Sequence, residues 1–335
     1  MNQNASDAAA GSRHLTDARR SRRRSAWRKI VLLLTAFPVA LLLFSLFGRF
    51  SFFAEMICNF RFQLIVAVVG GAIAMALLGG YRWAVALTLV SLLFGSTVFS
   101  YFLPRDTVEG MRAKCRVMTF NVYGLNETPE LVLNLIDEEQ PEVVALIEYT
   151  SDWVPLCEGL RGDYPYRIEE PRWHGFGIAL FSKYPLVDSS VYRLAPSYTD
   201  SPMIVARLDT GTGVPVRLAA THLLAPMGYT RMTVRNRQIE ELAGHLPKES
   251  EPTVLLGDFN CVPWSPFLQE MLAVTGLHDS RRGFGYQGTW PSDFWPMRIP
   301  IDQAFVSDNV VVIERKRLTQ PTGSDHFPLL LELGW

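Results

Sequence analysis

Four short apolar runs in the last two-thirds of this chain each end on a side chain that an apolar core accepts only with a partner. Val117-Met118-Thr119-Phe120 ends on Asn121, Val143-Val144-Ala145-Leu146-Ile147 on Glu148, and Leu218-Ala219-Ala220-Thr221 on His222. Val254-Leu255-Leu256-Gly257 ends on Asp258, with Asn260 two residues further, and Gly323-Ser324-Asp325-His326-Phe327-Pro328 follows near the carboxyl end. Runs this short, rich in leucine or β-branched residues and flanked by turn or helix signals, predict buried strands. A carboxylate, amide or imidazole at a buried strand end is costly alone, so several of them in one domain imply a shared ligand.

Between these runs the pattern changes period. Leu131, Val132, Leu135 and Ile136 mark one helical face over Pro129–Glu139, and a second helix is predicted from Thr230 through Leu242. Gly177–Ser182, Met203–Leu208 and Val216–Thr221 read as further strands, the last two joined by the hairpin-type turn Asp209-Thr210-Gly211-Thr212-Gly213. Hairpins mixed with strand-helix-strand units predict mixed β-sheets covered by helices, an α/β class, over residues 104–335.

The amino-terminal third obeys other rules. The chain is 48% hydrophobic, high for a purely soluble protein, and the excess lies before residue 104. Ile30 to Gly48 is 19 residues without a charge, roughly 28 Å as a helix and close to the hydrocarbon thickness of a bilayer. Leu64–Gly80 and Trp83–Leu103 are two more apolar runs, divided by the hairpin signal Gly79-Gly80-Tyr81-Arg82. Residues 30–103 therefore read as a membrane region of about three transmembrane helices, and Pro104-Arg105-Asp106-Thr107 as its exit.

Residues 1–29 are polar, Ala/Ser/Arg-rich and expected to be a disordered basic leader, with eight Lys or Arg against Asp7 and Asp17. The leader suits a signal peptide and Ser21-Arg22-Arg23 hints at a twin-arginine signal, but no small-x-small cleavage site follows the apolar run. By the positive-inside rule the leader stays cytoplasmic, and three spans place the distal domain on the extracytoplasmic side, which is the periplasm if the cell is bacterial. From Leu103 onward 21 Lys plus Arg face 30 Asp plus Glu, a net charge of −9. That balance disfavours a duplex nucleic-acid grip built on many phosphate contacts. Cys58 lies between the first two spans, and Cys115, Cys157 and Cys261 of the distal domain have neither zinc-site nor disulfide-framework spacing and suit buried small hydrophobes.

Hydrolysing a phosphate ester takes a cation on the phosphoryl oxygens, a positioned water with a base, and donors for the developing charge. Mg²⁺ takes oxygen ligands and keeps several waters, so Glu148 with Asn121 would make a sparse hard-cation site, with Mn²⁺ as the alternative ion. Singly, Asn121 is also an ordinary turn residue, Glu148 a helix N-terminal charge, His222 a core histidine and Asp258 an Asx-turn.

Taken in order, Thr119-Phe120-Asn121, Ile147-Glu148, Thr221-His222-Leu223, Gly257-Asp258-Phe259-Asn260, Ile301-Asp302-Gln303-Ala304-Phe305 and the Gly323–Pro328 stretch resemble the motifs of the endonuclease/exonuclease/phosphatase family. The resemblance covers Cys115 to Trp335. It implies a four-layer α/β sandwich of two mixed sheets flanked by helices, with the site at one edge of the paired sheets. It further implies Glu148 as principal Mg²⁺ ligand, with Asn121 beside it and Asp325 near the metal. Asp258 would orient or deprotonate water, Asn260 and His222 would contact the scissile phosphate, His326 would act as acid/base or phosphate contact, and Asp302 would fix a catalytic histidine. At Tyr123 abasic-site endonucleases commonly carry an aspartate, and the inositol 5-phosphatase signature is missing, which weakens both specificities.

The implied activity is a membrane-anchored metal-dependent phosphoesterase, acting on nucleic acid, a lipid headgroup or a small molecule. The alternative is a noncatalytic, membrane-tethered binding protein that keeps the fold. No pattern points to a protein partner. The aromatic stretch Phe284, Tyr286, Trp290, Phe294, Trp295 and Met297 is divided between loop packing and a substrate-facing role.

Overall fold

The computed structural model describes residues 3–104, 114–173, 175–246 and 251–335, with side chains from residue 19 onward. Of the expected membrane exit, residues 105–107 lie outside the described residues.

Two six-stranded sheets lie face to face. The first contains β1 (Lys114–Asn121), β2 (Val143–Ile147), β3 (Tyr166–Glu170), β4 (Ile178–Ser182), β11 (Val311–Arg317) and β12 (Leu329–Gly334), ordered β11-β12-β1-β2-β4-β3. The second is ordered β5-β6-β7-β8-β10-β9, from β5 (Leu186–Leu194), β6 (Ser201–Leu208), β7 (Val216–His222), β8 (Thr253–Asp258), β9 (His278–Asp279) and β10 (Asp302–Val306). Both are mixed, because β1 runs parallel to β2 and β7 parallel to β8 while their other pairings are antiparallel.

Alternation along the strands fills both faces of each sheet. Val117, Val143 and Ala145 meet Leu218, Val254 and Ala304 in the core between the sheets. Met118, Phe120, Val144 and Leu146 turn outward onto α5 (Pro129–Glu139) and the short α6 (Trp153–Leu156). Leu255, Phe305 and Ala219 turn outward on the other side, onto α7 (Tyr229–Gly244) and α8 (Pro266–Thr275). The result is helix, sheet, sheet, helix, the four layers that apolar runs buried on both faces require.

The amino-terminal region is helical: α1 (Gln3–Ser45), α2 (Phe52–Cys58), α3 (Arg61–Leu77) and α4 (Tyr81–Phe99). α1 takes in most of the leader expected to be unstructured, consistent with an Ala-rich stretch free of proline before Pro38. Two segments, Arg19–Ser45 and Tyr81–Phe102, are long and apolar enough to cross a membrane; α2 and α3 form a pair bent by 67°. Neighbours run antiparallel: the Arg28 guanidinium donates to the Leu78 carbonyl at the far end of α3, and Arg61 at its near end reaches Thr97 on α4. Arg28 thus serves a helix C-terminus whose last carbonyls lack intrahelical donors.

These helices pack on the sandwich. Phe62 stacks on Tyr286 with centroids 4.1 Å apart, the Trp264 indole N–H donates to the Cys58 carbonyl at 2.6 Å, and the Gln63 amide donates to the Arg298 carbonyl at 2.9 Å. All four cysteines are buried and free.

Candidate active site

The two parallel pairs build the site. Asn121 is register partner of Ile147, next to Glu148, and His222 is partner of Asp258. Asp302 opens antiparallel β10 opposite Asp258. Parallel neighbours end on the same sheet edge, so the carboxyl ends of β1, β2, β7 and β8 bring their terminal polar residues together. Gly257 permits this closeness: at φ +138° a Cβ there would sit 1.9 Å from the Thr221 carbonyl oxygen. Glu148 (φ +62°), Tyr123 (+59°) and Asn260 (+48°) hold left-handed backbone that non-glycine residues rarely adopt, and such strain gathers where side chains must be aimed.

Asp258 is the hub. Its Oδ1 accepts the Asn260 N–H at 2.8 Å and its Oδ2 accepts the Asn121 amide at 3.0 Å, with the Nε2 atoms of His222 and His326 each 3.8 Å from Oδ2. Burial, reinforced by nearby Asp302, pushes its carboxyl up to about 7. Burial alone would lower His326, but the charges of Asp302 and Asp258 raise it to about 10. Its Nδ1–H donates to Asp302 at 2.8 Å, leaving Nε2 turned toward Asp258. His222 is the opposite case: burial lowers it, its Nδ1–H donates to the Gly175 carbonyl at 3.0 Å, and neutral Nε2 faces the Asn260 amide at 3.4 Å. Two imidazoles on one carboxylate are thus driven to different protonation states.

Glu148 accepts the Gly124 N–H at 2.9 Å and the Asn121 amide at 3.1 Å, and Asp325 accepts the Trp290 indole N–H at 2.9 Å. Glu148, Asp258 and Asp325 line one cleft of about 700 Å³ together with His222, Asn260 and His326. Asp258, Asp302 and His326 also bring three possible donor atoms within 4.8 Å. Since His326 Nδ1 is committed to Asp302, that trio is better described as a hydrogen-bonded relay than as the full ligand set. The donors fit a hard divalent cation: carboxylate oxygens are in excess over the one raised imidazole, and no cysteine is among the described lining residues. Asn121 Oδ1 accepts the Tyr123 N–H at 3.0 Å, so its amide presents N–H to the carboxylates; ligation through Asn121 requires that amide reversed.

Of the eight residues singled out from the sequence, seven (Asn121, Glu148, His222, Asp258, Asn260, Asp325 and His326) reach this cleft or its floor, and the eighth, Asp302, lies directly behind His326. Others were missed. Ser324 donates to the Asn121 carbonyl at 2.7 Å and accepts the His326 N–H at 3.0 Å, tying the last loop to β1. Arg235 of α7 donates to the Asn260 carbonyl at 2.8 Å, and its guanidinium forms a buried ion pair with Glu55 of α2. Glu55 did leave a signal, as a lone acid between apolar runs. The aromatic stretch divides: Tyr286 packs on Phe62, Trp290 lines the cleft, and Phe294 and Trp295 are exposed.

A four-layer α/β sandwich with acids, amides and imidazoles converging at one edge of its paired sheets defines the class. Residues 118–326 match the Endonuclease/Exonuclease/phosphatase family, and the chain belongs to it. Members of that family are generally hydrolases of phosphate esters. The fold is shared with an endonuclease/exonuclease/phosphatase from Beutenbergia cavernae (21% identity, TM-score 0.53, covering 66% of this chain and 71% of that one). It is shared with D. rerio TDP2 complexed with a single-strand DNA product (16%, 0.55, 66% and 99%). The human Nocturnin catalytic domain with bound sulfate is a third likeness (23%, 0.53, 68% and 97%). No curated protein matches the chain.

Proposed function

We propose that this protein is a divalent-metal-dependent phosphoesterase anchored in a membrane by its amino-terminal helices. The observation that carries the reading is Asp258, a buried carboxylate raised toward neutrality, set between a neutral and a cationic imidazole in a cleft lined by further carboxylates. Glu148 and Asp325, with Asn121 once its amide is reversed, would hold Mg²⁺ or Mn²⁺. A cation there supplies positive charge to the phosphoryl oxygens.

The residues supply the proton path. Asp258, ionised, takes a proton from water as the water oxygen bonds to phosphorus. The P–O bond to the leaving alcohol breaks with its electron pair on that oxygen, which takes the proton from His326 Nε2. The proton on Asp258 then returns to His326. Asn260 donates to the phosphate, and Asp302 keeps the His326 ring oriented.

The test is hydrolysis by the full chain in detergent of bis-p-nitrophenyl phosphate, a phosphomonoester, single-strand DNA, RNA and phospholipid. Single-strand DNA belongs in the set because TDP2 carries one as product. Turnover that needs Mg²⁺ or Mn²⁺, stops with EDTA and is lost in Asp258→Asn is expected. Phosphate binding without turnover of any ester would favour the noncatalytic alternative.

Helix direction supports a sidedness. α2 is fastened to the sandwich, so α1, α3 and α4 would be the crossings, with the amino terminus on one side and the catalytic domain on the other. With the basic leader cytoplasmic, the domain is extracytoplasmic. A periplasm-dependent reporter fused after Trp335 should be active; activity of a cytoplasm-dependent one would overturn this topology.

A further inference from the structure

The cleft that holds the candidate catalytic groups is not made by the sandwich alone. Met56, Asn59 and Phe60, from the segment joining α1 to α3, line it together with Pro226 and Met227. That segment is held firmly. Glu55 is buried with Arg235, itself bonded to the Asn260 carbonyl, and the Cys58 carbonyl takes the Trp264 N–H. The wall is therefore built into the active site.

Its position decides what can enter. The segment runs into α1 on one side and α3 on the other, both apolar, so on the membrane assignment above this wall of the cleft stands beside the bilayer. Nearby in the chain, Phe50 (81% exposed), Phe53 (70%), Met227 (71%) and Tyr229 (68%) present large apolar side chains to solvent, Phe50 and Tyr229 beside the charged Arg49 and Arg237. Exposed aromatic and Met residues beside membrane helices suit the interfacial layer of a bilayer. The cleft thus has a polar floor and a largely apolar wall of Met56, Phe60, Pro226 and Met227, interrupted by Asn59 and Arg231. Its volume of about 700 Å³ accommodates a headgroup and the adjoining glycerol region, and the domain charge of −9 opposes a polyanionic strand.

We propose that the substrate is a membrane phospholipid, with its phosphate at Asp258 and His326 and its chains leaving the cleft between Met56 and Met227 toward the bilayer. The inference rests on the phosphoesterase reading and on the membrane assignment above. Met56 and Met227 act as specificity-determining residues, selecting an ester by the apolar body attached to it. The bonds made and broken are those already given, with water as co-substrate and a phosphomonoester and an alcohol as products.

The experiment uses the full chain in nanodiscs with Mg²⁺. Four headgroups, phosphatidylcholine, phosphatidylethanolamine, phosphatidylglycerol and phosphatidylinositol, are each supplied as the dioleoyl lipid and as the soluble dihexanoyl form, beside bis-p-nitrophenyl phosphate. For at least one headgroup kcat/KM should be tenfold or more higher for the dioleoyl form. Met56→Gln and Met227→Gln should each lower that long-to-short ratio several-fold, chiefly through KM. Met227 is exposed, so its variant keeps the test valid if Met56→Gln folds poorly. Turnover of bis-p-nitrophenyl phosphate without turnover of any lipid would overturn the substrate class and leave the phosphoesterase reading standing. So would a long-to-short ratio near one that neither variant moves. No metal-dependent turnover of any ester would remove both.

Discussion

In the proposed mechanism Asp258 and His326 carry opposite demands on pH. The carboxylate must be ionised to take a proton, so activity should rise as pH climbs through about 7; the imidazole must be protonated to give one, so activity should fall above about 10. Because the groups interact, the two limbs of a kcat/KM profile belong to the pair rather than to either residue. Asp302→Asn separates the contributions. Removing the charge that raises His326 should move the falling limb to lower pH and reduce kcat about 10²-fold or more. An unmoved limb would mean that Asp302 only packs beside the ring. At this scale the sequence was informative, because Asn121, Glu148, His222 and Asp258 each stand at the end of an apolar run. It did not reveal protonation. What separates His222 from His326 is whether Nδ1–H meets the Gly175 carbonyl or the Asp302 carboxylate, a matter of packing rather than of local pattern.

The elements that carry these residues tolerate little adjustment. Gly257 lies in β8 immediately before Asp258, against the β7 backbone, and Gly257→Ala would force the Thr221 carbonyl away while imposing a left-handed-side φ on an L residue. We expect a loss of about 2–4 kcal/mol, read in a denaturation midpoint, and a larger loss of activity than of stability because His222 and Asp258 are register partners across that contact. Strand ends and the helices Pro129–Glu139 and Thr230–Leu242 were legible from periodicity, the latter observed as Tyr229–Gly244. The sheet order was not. Whether β2 pairs with β1 or with a later strand depends on crossovers and on which faces meet, and no run of residues encodes that locally. α2 was missed for a related reason: seven residues between apolar stretches are too short for a period to show, and Glu55 gains meaning only once Arg235 is seen opposite it.

Across the whole molecule, the amino-terminal helices and the sandwich are joined by buried contacts. Glu55 and Arg235 are both about as buried as core residues, and removing one member of a buried pair strands the other. Glu55→Ala should therefore destabilise the full chain by about 3–5 kcal/mol, whereas Glu55→Leu combined with Arg235→Met should recover most of that loss. The same reasoning applies to a chain cut to residues 114–335. It would leave Arg235 without its carboxylate, uncover Trp264 and Tyr286, and delete the wall formed by Met56 and Phe60. Such a fragment should unfold at a lower denaturant midpoint than the full chain, and Arg235→Met should narrow the difference by removing the stranded charge. An equal midpoint for fragment and full chain would show that the helices only tether the sandwich. A lower midpoint rescued by Arg235→Met would make the segment between α1 and α3 a structural part of the domain whose cleft it lines.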